Sequence, residues 1–362
     1  MSWVGLADNE GVQFDLGGLL GRTRPPSLQM ADRGNALACR GTILLEADVA
    51  QFTVPRPLID HGLGASYTLS VAFGESDMLD FTLSVGDGSW EHRLPLRITN
   101  DLQVVRVSYA WDTTTRAGIL SVYQPRSRHL SQCIVPNPKP IPWAALRELV
   151  HDAPEQCRDN DVRFVAVSRA FEPAGAMPGL SGAVEISTPS GARPIRHIVA
   201  GDLILTPEGR ARRVVAPVRR ILPARGSFAP HRLRAPYLGL SRDLTMSGET
   251  LVHLEGSDVE YLLGVEGVLA QADQLGETRS ELIGEDRATA CYHQLILEDV
   301  DVFDAGIGVG SLDLGAGARD GVADATTLWA DVPRDGPRGH APAPYPLART
   351  YEIVTLNAAR AA

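Results

Sequence analysis

Few of the side chains in this 362-residue chain that can act as nucleophiles, bases or metal ligands are spaced to act together. The histidines are dispersed. His197, His231, His253, His293 and His340 fall in the second half, and no two have metal-ligand spacing on one element. Cys39, Cys133, Cys157 and Cys291 stand far apart with no CxxC pair, which argues against a zinc ribbon or a thioredoxin-type site. They read as reduced packing residues. Schiff-base chemistry needs a desolvated lysine, and Lys139 is the one lysine among 34 basic residues. The HExxH, P-loop and GxSxG patterns are missing. Gly306, Gly308 and Gly310 alternate ahead of no helical pattern and read as a strand-end turn. No cofactor and no metal is expected.

Charge narrows the partners. The formal net charge is -10, which opposes nucleic-acid binding, since that usually needs a basic face. Eight arginines and no acid occupy Arg210 to Arg234. An anion-binding stripe is one reading; the solvated face of twisted strands is preferred. No apolar run approaches the roughly 18 residues of a membrane helix. Met1 to Arg22 carries Asp8, Glu10 and Asp15, against a signal peptide. The location is left open between cytoplasmic and exported without such a peptide.

The elements that must position any site are strands. Tyr67, Leu69, Val71 and Phe73 alternate with polar or small residues, as do Phe81, Leu83 and Val85. Trp90, His92, Leu94 and Leu96 share one face, and Val105, Val107, Tyr109 and Trp111 share another. Period two at intervals of about ten residues, with turn chemistry between, predicts antiparallel sheets. Two such sheets stacked give a sandwich or jelly roll. Pro136, Pro138, Pro140 and Pro142 mark an extended connector. A helix follows from Trp143 through Val150, then a strand over Val162–Ser168. Glu172 to Gly182, rich in Pro, Gly and Ala, is the expected boundary. Beyond it, strands are predicted at Val184–Ser187, Leu203–Thr206, Arg213–Val218, Arg232–Arg234, Tyr261–Leu263, Gln294–Phe303 and Tyr351–Leu356. Leu314 to Pro346 reads as a long loop. The fold class is all-β with few helices. Its divisions are a sandwich over 1–170, a second β domain over 178–312, and a flexible loop with a last strand over 313–362.

Four blocks in the second domain carry a resemblance. ISTPSGARPIRHIVAGDLILT spans Ile186–Thr206, FAPHRLR spans Phe228–Arg234, and two further blocks run from Leu244 to Leu269 and from Tyr292 to Leu312. In this order they resemble the Hedgehog/intein (Hint) domain, in particular its bacterial family. The resemblance implies a horseshoe-like all-β domain built from two related halves. It also implies a chemistry: a Cys or Ser at the first position attacks the preceding carbonyl, and the peptide becomes a thioester or ester. A His in the third block moves the proton, and a His or Asp in the last block supports it. The run Val105 to Tyr123 of the first domain resembles, more weakly, the concanavalin- or laminin-G-like jelly rolls, which implies protein or glycan binding. Tyr109, Trp111 and Trp90 alternate with polar residues, which points them to the core.

The sequence departs from the family at the reacting positions. The nucleophile would fall near Gly179 to Ser181, where Ser181 is the one candidate. Thr250 stands where the third block has its His, and His253 lies three residues on. Gln294 replaces the first His of the last block, with His293 beside it. Val300 aligns with the late His, flanked by Asp299 and Asp301. Asn357 follows Leu356, so the terminal His-Asn of splicing is missing. The candidate positions are therefore Ser181, Thr250, Asp299 and His253, as remnants of a site. The expected function is a binding or assembly scaffold without autoprocessing. The alternative is autocatalytic cleavage of the chain's own peptide at Ser181.

Overall fold

The computed structural model describes residues 2–19, 36–49, 56–64, 66–74, 77–97, 103–151, 161–276, 279–283, 287–312 and 343–361. The chain divides into two compact units. One is Met1–Ala176 with Asp286–Thr289; the other is Met177–Glu285 with Ala290–Ala362.

The first unit is built from a seven-stranded and a four-stranded antiparallel sheet. The larger runs, edge to edge, through His129–Pro136, Ala117–Gln124, Gln103–Asp112, Arg40–Val49, Val162–Ser168, Trp3–Asp8 and Val12–Phe14. The smaller is a meander of Arg56–Leu63, Tyr67–Phe73, Met78–Val85 and Gly88–Pro95. The alternating residues of both sheets meet in one core: Tyr109 of the larger lies 5.5 Å from Phe81 of the smaller, centroid to centroid. Trp111 is fully buried and donates its indole N–H to the Ala38 carbonyl at 2.8 Å. Tyr109 and Trp111 are therefore core residues, as their alternation predicts. The helix Trp143–His151 adds Leu146, Leu149 and Val150 to the same core. The proline run follows the edge strand His129–Pro136, where a missing N–H costs no ladder bond.

The second unit has its own core. A seven-stranded sheet is ordered Leu203–Leu205, Ala211–Pro223, Thr289–Leu297, Leu180–Ser181, Leu244–Ser247, Pro230–Leu233 and Ser280–Leu282. A four-stranded sheet is ordered Gly267–Gln271, Leu251–Glu255, Gly308–Gly310 and Val302–Asp304. Glu185–Thr188 and Gly191–Pro194 form a hairpin, with Gly191 at φ 111° in its turn.

Two predicted strands are helices. Ser257–Leu263 is helical and closes on Gly264 at φ 70°, burying Val259 and exposing Tyr261. Thr350–Ala361 is also helical, with Ile353 and Leu356 buried one turn apart and Tyr351 and Val354 exposed. That spacing belongs to period 3.6 and not to period two. Residues 313–342 of the predicted loop lie outside the described residues, as does Cys157. Past them, Leu269 donates to the Pro346 carbonyl and accepts from Ala348 N–H, at 2.9 and 2.8 Å. Cys39, Cys133 and Cys291 are free thiols. Part of the arginine-rich stretch is neutralised from elsewhere: Arg212 pairs with Asp301, Arg213 with Glu298 and Arg234 with Glu281. Among the described residues no helix is long and apolar enough to cross a membrane.

Candidate functional site

The third block turns sharply after its first strand, and the turn grips the chain just before Ser181. Thr250 N–H returns to the Ser247 carbonyl at 3.1 Å, which brings Ser247, Glu249 and Thr250 against Met177–Gly179. All three are buried. Met177 N–H donates to Glu249 Oε2 at 2.7 Å, and Ser247 Oγ donates to the Met177 carbonyl at 3.0 Å. Gly179 N–H donates to Thr250 Oγ1 at 2.9 Å. Its carbonyl accepts from Thr250 Oγ1 at 3.0 Å and from Ser247 N–H at 2.9 Å. Both polar groups of the Gly179 residue are thus met from one turn, as buried backbone groups require.

Gly179 has no space for a side chain. A Cβ there would lie 2.8 Å from Tyr292 Cβ and 3.1 Å from the His293 carbonyl oxygen. The neighbouring strand Thr289–Leu297 fills that place.

Ser181 sits one step away in register. It pairs with Tyr292, while Leu180 pairs with His293 and Met246. Residues opposite one another in an antiparallel ladder project to one face, and successive residues alternate. Ser181 therefore shares the face of Tyr292, and His293 projects from the other. The Ser181 side chain makes no hydrogen bond among the described residues, although it is only half-buried. Thr250 meets Gly179, two residues before Ser181, so its hydroxyl serves the chain ahead of the serine.

The other two sequence candidates lie elsewhere. His253 is buried on Leu251–Glu255, its ring 3.9 Å from that of Tyr345 and its Nδ1 4.0 Å from Glu255. It is wedged between glycines: a Cβ at Gly267 would lie 2.2 Å from His253 Nε2, and one at Gly308 2.8 Å from His253 Cβ. Burial lowers its pKa, against the opposing pull of Glu255 and Glu208. With Glu255, Arg279 and Asp304 it lines a cleft of about 500 Å³. None of its contacts is with Met177–Ser181. Asp299 is exposed in a bend after Thr289–Leu297. The adjacent Asp301 is the one with a role in packing, accepting from Arg212 Nε at 2.6 Å and from Val302 N–H at 2.9 Å. Gln294, in place of a histidine, ties its strand to Gly308–Gly310 through the Gly310 carbonyl at 3.1 Å. Val300 is buried without polar function.

Thr250 is thus the one candidate of the four in contact with the segment ahead of Ser181. The grouping of Ser247 and Glu249 with it was not foreseen, although all three occupy one Ser-Gly-Glu-Thr turn. The pair Cys291 and His293 was also passed over. Spacing of two on a strand was the available signal, because it places both on one face.

Chemically, the turn can hold a peptide in a fixed conformation. Hydroxyls do not titrate near neutral pH, so Thr250 and Ser247 supply hydrogen bonds where an imidazole would supply a proton.

Residues 179–311 match the family model described as a Hint domain, in agreement with the four blocks. A comparison with curated proteins finds no match. Among solved structures, the gp41-1 intein is 13% identical, with 37% of this chain and 98% of that chain covered and a TM-score of 0.24. A toad ovary galectin in complex with thio-digalactose is 11% identical, with 47% and 92% covered and a TM-score of 0.21. The LG1-3 region of the laminin alpha2 chain is 13% identical, with 71% and 37% covered and a TM-score of 0.24. Likeness at this level assigns neither a ligand nor an activity to this chain.

Proposed function

We propose that the Hint domain of this chain holds its would-be scissile segment without cutting it, and that the protein acts as a binding or assembly scaffold. In this reading residues 1–170 are the recognition sandwich and 178–312 the Hint body. The observation that carries it is Gly179. It stands at the first matched position, near where the family's nucleophile belongs, with no side chain and no room for one. Ser181 would need a base on its own face, and the imidazole on the paired strand projects from the opposite one. Thr250 binds the Gly179 peptide, and its hydroxyl does not titrate near neutral pH to serve as a base.

A protein or glycan partner would have to be held by residues other than Tyr109 and Trp111, which the core consumes. Intact mass of the purified full chain, followed over days with and without a small thiol, tests the main claim. A single full-length species is expected. Two fragments split between Leu180 and Ser181, lost on Ser181→Ala, would overturn it in favour of self-cleavage.

A further inference from the structure

Cys291 lies in surroundings that neither of the other described thiols shares. Its strand, Thr289–Leu297, runs between Ala211–Pro223 and Leu180–Ser181. From the first neighbour, Arg219 Nε donates to Cys291 Sγ at 3.2 Å. From its own strand, His293 places Nε2 3.8 Å from the same sulfur. From the other side, Gly182 leaves space for the imidazole: a Cβ there would lie 2.9 Å from His293 Nε2 and 3.2 Å from Arg196 Cβ. Arg196 closes the group, its Nη1 3.4 Å from the Gly182 carbonyl. Among the described residues neither Arg219 nor Arg196 is paired with a carboxylate. Arg219 is exposed and Cys291 half-buried, so the sulfur is within reach of solutes.

Thiol reactivity requires a thiolate, a nearby cation to hold it and an acceptor for its proton. The cation and the acceptor both stand beside the Cys291 sulfur. Burial, then the charges of Arg219 and Arg196, hold the His293 pKa below its ordinary value, so the ring is neutral and able to accept. Cys39 is exposed and has no such neighbours among the described residues, and burial pushes the Cys133 thiol pKa up.

We propose that Cys291, with Arg219 and His293, is a reactive thiol site that exchanges with small anionic disulfides. His293 Nε2 takes the thiol proton, and the thiolate held by Arg219 attacks one sulfur of the disulfide RSSR. A bond forms between Cys291 Sγ and that sulfur as the RS–SR bond breaks. The electron pair leaves on RS⁻, which recovers the proton from the imidazolium. Cys291 is oxidised to the mixed disulfide, and half of the small disulfide is reduced to the thiol. The Arg219 guanidinium at the sulfur, with the charge of Arg196 acting on the neighbouring His293, favours disulfides bearing carboxylates.

The test uses the full chain with three of its four cysteines replaced by serine, leaving Cys291 alone or Cys39 alone. Two probes are compared under pseudo-first-order conditions: dianionic dithiobis-nitrobenzoate and a neutral dipyridyl disulfide. Cys291 is expected to react with the dianionic probe about tenfold or more faster than Cys39. Arg219→Gln should remove most of that advantage and affect the neutral probe less. His293→Gln should slow both probes. Loss of fold would bring Cys291 to the rate of an exposed thiol such as Cys39, so each variant is first matched to its parent by far-ultraviolet dichroism and urea midpoint. Equal rates for Cys291 and Cys39, or an Arg219→Gln chain as fast as its parent, would overturn the proposal. Neither outcome bears on whether the backbone is cleaved.

Discussion

At the scale of single residues, the Ser247–Thr250 turn grips Met177 and Gly179 through hydrogen bonds. Thr250→Val deletes the acceptor of a buried Gly179 N–H, and an unmet buried donor costs about 1–3 kcal/mol. Thr250→Ser keeps the hydroxyl and should cost clearly less; urea midpoints of the two variants decide it. Restoring a nucleophile at the first matched position should fail for a related reason. In Gly179→Cys the new Cβ meets Tyr292 at 2.8 Å, so overpacking of about 1–3 kcal/mol is expected, with no thiol-induced cleavage by mass. Clean cleavage by that single variant would show that the pocket opens and that a base already serves it. His253 gives a pH signature. Its folded pKa lies below the ordinary 6.5 because burial disfavours the charged ring, so the unfolded chain binds the proton more readily. Its stabilising share is complete above 6.5 and is lost as pH falls toward the folded value. The groups facing it are Glu255, Glu208 and the Tyr345 ring; the two carboxylates oppose the depression. Denaturant midpoints should fall between neutral and acidic pH, and His253→Leu should flatten part of that limb. An unchanged slope in the variant would mean that His253 titrates alike in both states.

At the scale of elements, legibility followed burial geometry. Tyr67–Phe73 and Met78–Val85 each bury one face, and their alternation is plain in the sequence. Arg40–Val49 and Trp3–Asp8, in the interior of the large sheet, are buried on both faces. They show no period to read, and legible alternation begins only at Tyr67. The two misread helices fail differently. Each offers only one or two buried apolar residues, so a window of three to six residues suits either period. For Thr350–Ala361 the two assignments predict different substitutions. A strand would place Tyr351, Ile353 and Thr355 on one face; the helix buries Ile353 and Leu356, while Arg360 pairs with Asp258 at its end. Leu356→Ala should therefore cost about 2–4 kcal/mol, and Tyr351→Ala no more than about 0.5 kcal/mol. Thermal or urea unfolding separates these outcomes, and a costly Tyr351→Ala would return the segment to a strand. The candidate site was legible to the level of blocks and not of register. Four blocks in order located the segment near Gly179 to Ser181. Which of those residues faces which neighbour depends on the pairing of Leu180 with His293, and local sequence does not encode that pairing.

For the whole molecule, the relevant fact is that its apolar residues fall into separate clusters, one large core for each unit. Leu120 is fully buried in the first core and Leu295 in the second. Cooperative unfolding follows the contacts that a residue loses, so a cavity in one core should weaken the unit that owns it. Leu120→Ala and Leu295→Ala should each cost about 2–5 kcal/mol. Four of the five tryptophans, Trp3, Trp90, Trp111 and Trp143, belong to the first unit and Trp329 to the second, so tryptophan fluorescence weights the first unit, whereas far-ultraviolet dichroism reports both. In urea, Leu120→Ala should move the fluorescence transition to lower denaturant. Leu295→Ala should leave the fluorescence transition nearly in place while shifting part of the dichroism change. Independence of this kind would suit the proposed scaffold, in which the first unit could vary without disturbing the unit that holds the Gly179 segment. If each substitution instead moved both probes equally, the units would unfold as one body. A change in the sandwich would then be felt at the Gly179–Thr250 contact, and the division of labour proposed for the two units would fail.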